Sequence, residues 1–188
     1  MNARDEEPQF TAFNGDKMLS AGPMRTVGIA VKRAIARKAA GPVLVYDDAT
    51  GRAVDLDIRG SDAEFLARLA SGDFASPRGP GRPKLGVTAR EVTLLPRHWD
   101  WLNAQPGGAS VTLRKLVEEA RKANAGKERK REAQNAAYHF MSAMAGNLPG
   151  YEEALRALFA DDRERFVSLI AGWPKDIRNH TTQLAYPD

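Results

Sequence analysis

The 188-residue chain contains no cysteine. Disulfides, thiolate nucleophiles and Cys-ligated zinc are therefore excluded, and a reducing compartment suits the chain. Histidine is scarce: His98, His139 and His180 stand far apart, which argues against a His-rich metal site. No apolar run approaches the ~18–20 residues that span a bilayer. The N-terminal MNARDEEPQF is acidic and polar, unlike a secretory leader. A phosphate-cradling glycine loop is missing too, because Gly79 and Gly81 lie among prolines and precede no Lys-Ser/Thr pair. These absences lead us to expect a cytoplasmic protein, not an enzyme, with no metal, no cofactor and no membrane partner.

What the chain does have is charge, unevenly placed. Its net charge is +4, yet residues 78–131 hold 13 Lys/Arg against 5 Asp/Glu, a net +8, and the remainder carries −4. A basic middle between acidic flanks attracts polyanions at long range. The same charge also suits the wet side of a helix, so local motifs must decide.

The hydrophobic pattern predicts an α+β protein, mainly helical, in four segments. Residues 9–70 read as a small α+β unit. Phe10, Ala12 and Phe13 form a strand ending at the Asn14-Gly15 turn, and Val27, Ala30, Val31, Ala34 and Ile35 recur at helical spacing within Met24–Lys38. Val43–Tyr46 and Ala53–Ile58 form a hairpin, with Val54, Leu56 and Ile58 alternating against Asp55 and Asp57. Ser61 and Glu64 make a capping box for a helix carrying Phe65, Leu66 and Leu69. Residues 71–86 are a basic Pro/Gly linker.

Residues 87–124 are predicted to run strand, short helix, turn, longer helix. Val87–Leu95 is strand-like, and Pro96 opens a helix whose inner side holds Leu102 and Trp99, the latter expected in the core. Pro106-Gly107-Gly108 ends it. Ser110 is expected to cap the next helix, whose Leu113, Leu116, Val117 and Ala120 share one face. In residues 125–186, Gly126 precedes a charged run leading into a separate helix with Ala137, Phe140, Met141 and Met144 inside. Two shorter helices follow, the second capped by Asp161 or Asp162, and a last one covers Lys175–Leu184.

Arg90–Pro96 with Trp99 and Leu102, followed by Gly108, Ser110 and Leu113–Val117, resembles a ribbon-helix-helix DNA-binding domain. The resemblance implies a homodimer whose paired strands enter the major groove of double-stranded DNA, where base edges are distinguishable. It makes Ser110 and Thr112 phosphate contacts at a helix start, where the dipole attracts anions. Two strand registers stay open. With Val92 and Leu94 inward, Glu91 and Thr93 face outward; in the other register Arg90, Val92 and Leu94 face the DNA.

In the linker, Pro77–Lys84 partly resembles an AT-hook, with Gly81-Arg82-Pro83-Lys84 matching its second half and Gly79-Pro80 interrupting the usual core. That likeness implies Arg side chains in a narrow A·T minor groove. Over most of its length the chain also resembles an uncharacterised family of bacterial proteins, through PVLVYDDATGRAVDLDIRG, the stretch from Gly81 to Asn124, and AAYHFMSAMAGNLPGYEEA.

The expected function is DNA binding, as a transcriptional regulator or nucleoid-associated protein, through Arg78, Arg82, Lys84, Arg90, Thr93, Arg97, Ser110, Thr112, Arg114 and Lys115. A protein-interaction module without nucleic acid is the alternative. A small enzyme using a hairpin carboxylate pair, Asp47/Asp48 or Asp55/Asp57, stands third.

Overall fold

A computed structural model describes residues 7–70 and 90–187. The chain divides into two compact units: Met1–Phe74 together with Arg129–Asp188, and Ala75–Glu128.

The first unit is built on an antiparallel sheet of order β2-β1-β3-β4. β1 (Gln9–Asn14) turns through Gly15, at φ +59°, into β2 (Lys17–Pro23). β2 is a strand that its sequence, KMLSAGP, does not announce, since it lacks β-branched residues and clean alternation. β3 (Val43–Asp47) pairs on the other side of β1, and β4 (Arg52–Ala53) pairs with β3. The last strand is much shorter than the expected Ala53–Ile58. One further backbone bond, from Val54 N to Val45 O at 2.8 Å, ties the chain to β3 beyond the strand's end. Leu56 and Ile58 nevertheless still pack inward, as their alternation predicts.

Alternation along β1 and β3 sends neighbouring side chains to opposite faces. Ala12 and Val45 pack with Val27 and Val31 of α1 (Met24–Ala36). Phe13 and Tyr46 pack into a larger core with Phe140 and Met141. Both faces are covered, which is why β3 reads as an unbroken apolar run. α1 stops two residues short of the expected Lys38, which itself turns left-handed at φ +57°. α2 (Asp62–Ala70) begins at the expected capping box: Ser61 N donates to Glu64 Oε2 at 2.7 Å, and Glu64 N donates to Ser61 Oγ at 3.2 Å. Its Phe65 fills a notch over Gly28, where a Cβ would lie 2.2 Å from the Phe65 ring.

α4 (Gly108–Met144) is one continuous 37-residue helix, correcting the expectation of two helices separated at Gly126. A single interior glycine costs about 1 kcal/mol relative to alanine, and the Ala, Glu, Lys and Arg around it outweigh that. Its residues from Arg129 onward belong to the first unit. Ala136, Ala137, Phe140 and Met141 are buried there. α5 (Tyr151–Phe159), α6 (Arg163–Leu169) and α7 (Lys175–Ala185) complete this unit. Asp162 caps α6, accepting from Arg165 N at 3.0 Å.

In the second unit, α3 (Pro96–Asn103) begins with Pro at its first turn, as expected. Residues 90–95 form no strand, because a strand needs a ladder partner and the described residues bring none to it. Gly107 and Gly108 turn left-handed, at φ +88° and +72°, and α4 starts directly from them. Ser110 therefore sits inside the first turn and is not the cap.

Candidate nucleic-acid interface

The expected DNA-contacting residues fall into three groups. Arg78, Arg82 and Lys84 lie outside the described residues. Arg90 and Thr93 are exposed on the irregular stretch before α3, and Arg97 is exposed in its first turn. Ser110, Thr112, Arg114 and Lys115 occupy the first two turns of α4. There Thr112 Oγ1 donates to Gly108 O at 3.0 Å and Arg114 Nε donates to Ser110 O at 3.2 Å, so both side chains lean back towards the helix start. No acidic residue occupies that first turn, which leaves the positive end of the helix dipole uncompensated.

α4 has two different sides here. At 100° per residue, Leu113, Leu116, Val117 and Ala120 lie on one side. Arg114 and Lys115 lie towards the other, and Arg121 and Lys122 repeat them seven residues later. This second pair lies beyond the ribbon-helix-helix resemblance, which ends at Val117, and Lys122 reads in sequence only as a helical partner for Glu118. The sevenfold spacing of the two pairs was the available signal. Glu118 and Glu119 dilute this side, and Glu118 pairs with Arg121 at 3.2 Å.

Among the described residues the apolar side is only partly covered, with Leu113 half-buried and Leu116 and Val117 exposed. Leu94, His98, Trp101, Leu102, Leu113 and Leu116 line an open apolar cleft of about 270 Å³. Val92, Leu95, Trp101 and Val117 are each about half exposed. Trp99, expected in the core, is also exposed at 36%. The short helix is too small to bury it beside Leu102.

The carboxylates weighed for acid–base chemistry take different positions. Asp47 closes its own turn, accepting from Ala49 N at 2.9 Å and Thr50 Oγ1 at 3.1 Å. Asp57 accepts two bonds from the Arg59 guanidinium, each 2.8 Å, which hold its carboxyl well below the usual range. Asp55 is exposed. Asp48 is the unexpected one. Its Oδ2 accepts from Thr11 Oγ1 at 3.1 Å, and its Oδ1 lies 3.5 Å from His180 Nε2. His180 is 2% exposed and packs edge-on against Phe140, with ring centroids 4.7 Å apart. Burial lowers its pKa to about 4 and raises that of Asp48. At neutral pH the imidazole is therefore uncharged, and it is too deep to meet a substrate. Neither residue signals the other in sequence, because the contact joins a β-turn to the last helix.

A family model matches residues 9–185, from β1 through to the last turn of α7. The chain belongs to a family described as an uncharacterized protein conserved in bacteria (DUF2239). Family membership spans both units and every described element, including the cationic and apolar sides of α4. No curated protein and no solved structure matches the chain. No helix among the described residues is long and apolar enough to cross a membrane. No cluster of three or more His, Asp or Glu able to hold a metal occurs among them.

Proposed function

We propose that this family member binds double-stranded DNA as a homodimer, acting as a regulator or nucleoid-associated protein, with the second unit as the reading head. The observation that carries this is the two-sided start of α4. Arg114, Lys115 and Lys122 lie off the stripe of Leu113, Leu116, Val117 and Ala120, Arg121 lies at its edge, and Leu116 and Val117 on that side are exposed. A second copy would cover that side and pair residues 90–95 into a ribbon, satisfying backbone groups that lack a ladder. The cations would then meet phosphates, and Arg90, Thr93 and Arg97 would sit nearest the groove. Arg78, Arg82 and Lys84 would add a minor-groove arm ahead of the ribbon.

The test is a fluorescence-anisotropy titration of labelled duplex at several salt concentrations. Each neutralised phosphate contributes about −0.9 to the log–log salt slope, so six contacts give a slope of about −5. The Arg114→Ala, Lys115→Ala double variant should flatten the slope by about 2. No binding at low salt would remove the DNA reading and leave a protein-interaction module. The apolar cleft of the second unit favours that module as the second reading.

A further inference from the structure

The first unit carries a cationic surface that the DNA reading does not use. Between Met24 and Lys38, which includes all of α1, every charged residue is basic: Arg25, Lys32, Arg33, Arg37 and Lys38. Lys32 is turned inward. Its Nζ donates to Ile58 O at 3.0 Å and Gly60 O at 2.6 Å and lies over the Phe65 ring. Arg25 and Arg33 instead flank an open groove of about 400 Å³ between β2, α1 and α2, shared with Ser20, Thr26, Ile29 and Leu66.

Arg25, Ile29 and Arg33 lie four residues apart along one helix face. Their backbone positions are thus separated by about 12 Å along the axis, at 1.5 Å rise per residue, with an apolar side chain between them. The Arg25 end already holds a carboxylate, that of Glu7 at 2.6 Å. Among the described residues the Arg33 side chain makes no hydrogen bond or ion pair, and it is exposed. The floor is apolar, and Leu66 on its rim is 41% exposed. A phosphate backbone gains nothing from Ile29 and Leu66, whereas a peptide with apolar side chains between two acids uses every feature.

We propose that this groove docks an acidic, amphipathic helical segment of a partner protein, with a carboxylate on Arg33 and a bulky apolar residue over Ile29 and Leu66. A partner acid would also compete with Glu7 for Arg25. The site is independent of DNA binding by the second unit.

The probe is a fluorescein-labelled 14-residue helical peptide with Glu at two positions seven apart and Leu at the third and fourth positions between them. Its counterpart has Lys in place of both Glu. The full chain should bind the Glu peptide and not the Lys peptide. Arg33→Glu and Leu66→Asp, both at exposed positions, should each weaken binding at least tenfold with unchanged far-UV dichroism. Arg114→Ala, Lys115→Ala should leave peptide binding unaltered. Equal binding of the two peptides, or no effect of Arg33→Glu, would overturn the proposal. So would a loss of duplex-DNA affinity in Arg33→Glu without loss of peptide affinity, since that would make α1 a nucleic-acid contact.

Discussion

The two units handle their apolar residues in opposite ways. In the first, Phe13, Phe140, Leu158, Phe166 and Ile170 are fully buried, and both sheet faces are covered. In the second, Leu102 is the one buried residue among those described, while Val92, Leu95, Trp101, Leu116 and Val117 remain open to solvent. Exposed apolar residues scattered singly are ordinary, but Trp101 and Leu116 share one cleft, and Leu116 and Val117 share one helix side. The described part of the first unit closes its cores, and that of the second leaves apolar side chains exposed.

The sharpest way to break this contrast is to damage each unit in the same manner. Phe140→Ala, within the first core, should cost about 3–5 kcal/mol of stability in chemical denaturation. Gly51→Ala should be comparably damaging. Gly51 sits at φ +65°, and an added Cβ would lie 1.9 Å from Ala136 O, so backbone must move. In the second unit, Val117→Ala should cost less than about 1 kcal/mol at dilutions where the chain is monomeric, because the side chain is already wet. A large loss for Val117→Ala under those conditions would mean that its surface is covered within the chain.

Acid should weaken the first unit selectively. A histidine with a lowered folded pKa takes up a proton more readily when unfolded. Its contribution is therefore fully present above about pH 6.5 and is lost as pH falls towards 4. Asp48 acts in the opposite sense, since its raised pKa favours the folded protonated form, and it offsets part of that loss. The net effect expected is about 1–3 kcal/mol between pH 7 and 4, read from denaturation midpoints. His180→Phe, which fills the same aromatic site, should remove most of it. An unchanged pH profile in His180→Phe would place the acid sensitivity elsewhere.

A further expected effect concerns the linker. Arg82→Ala should weaken binding to A·T-rich duplex by about 1–2 kcal/mol and to G·C-rich duplex by less. Equal losses on both would make Arg82 a phosphate contact only.

How legible each part was in the sequence follows from how local its cause is. The capping box at Ser61, Pro96 at a helix start and the aspartate cap of α6 depend on neighbours within four residues; the first two stand where the pattern puts them, and the structure chooses Asp162 from the expected Asp161 or Asp162. β2 and the continuity of α4 through Gly126 were hidden. Strand pairing with β1 compensates for a weak local sequence in the first, and summed helix propensity overrides one glycine in the second. The Asp48–His180 contact depends on tertiary packing alone. On α4, periodicity places the apolar face but not the exposure of Leu116 and Val117, because it gives a direction and not a partner.

Sedimentation equilibrium of the full chain, alone and with a short labelled duplex, tests the central claim most directly. The account predicts a free mass of twice 20.6 kDa and two chains on each duplex, with Leu116→Asp shifting both towards the monomer. A chain that stays monomeric at every accessible concentration, with or without DNA, would contradict it.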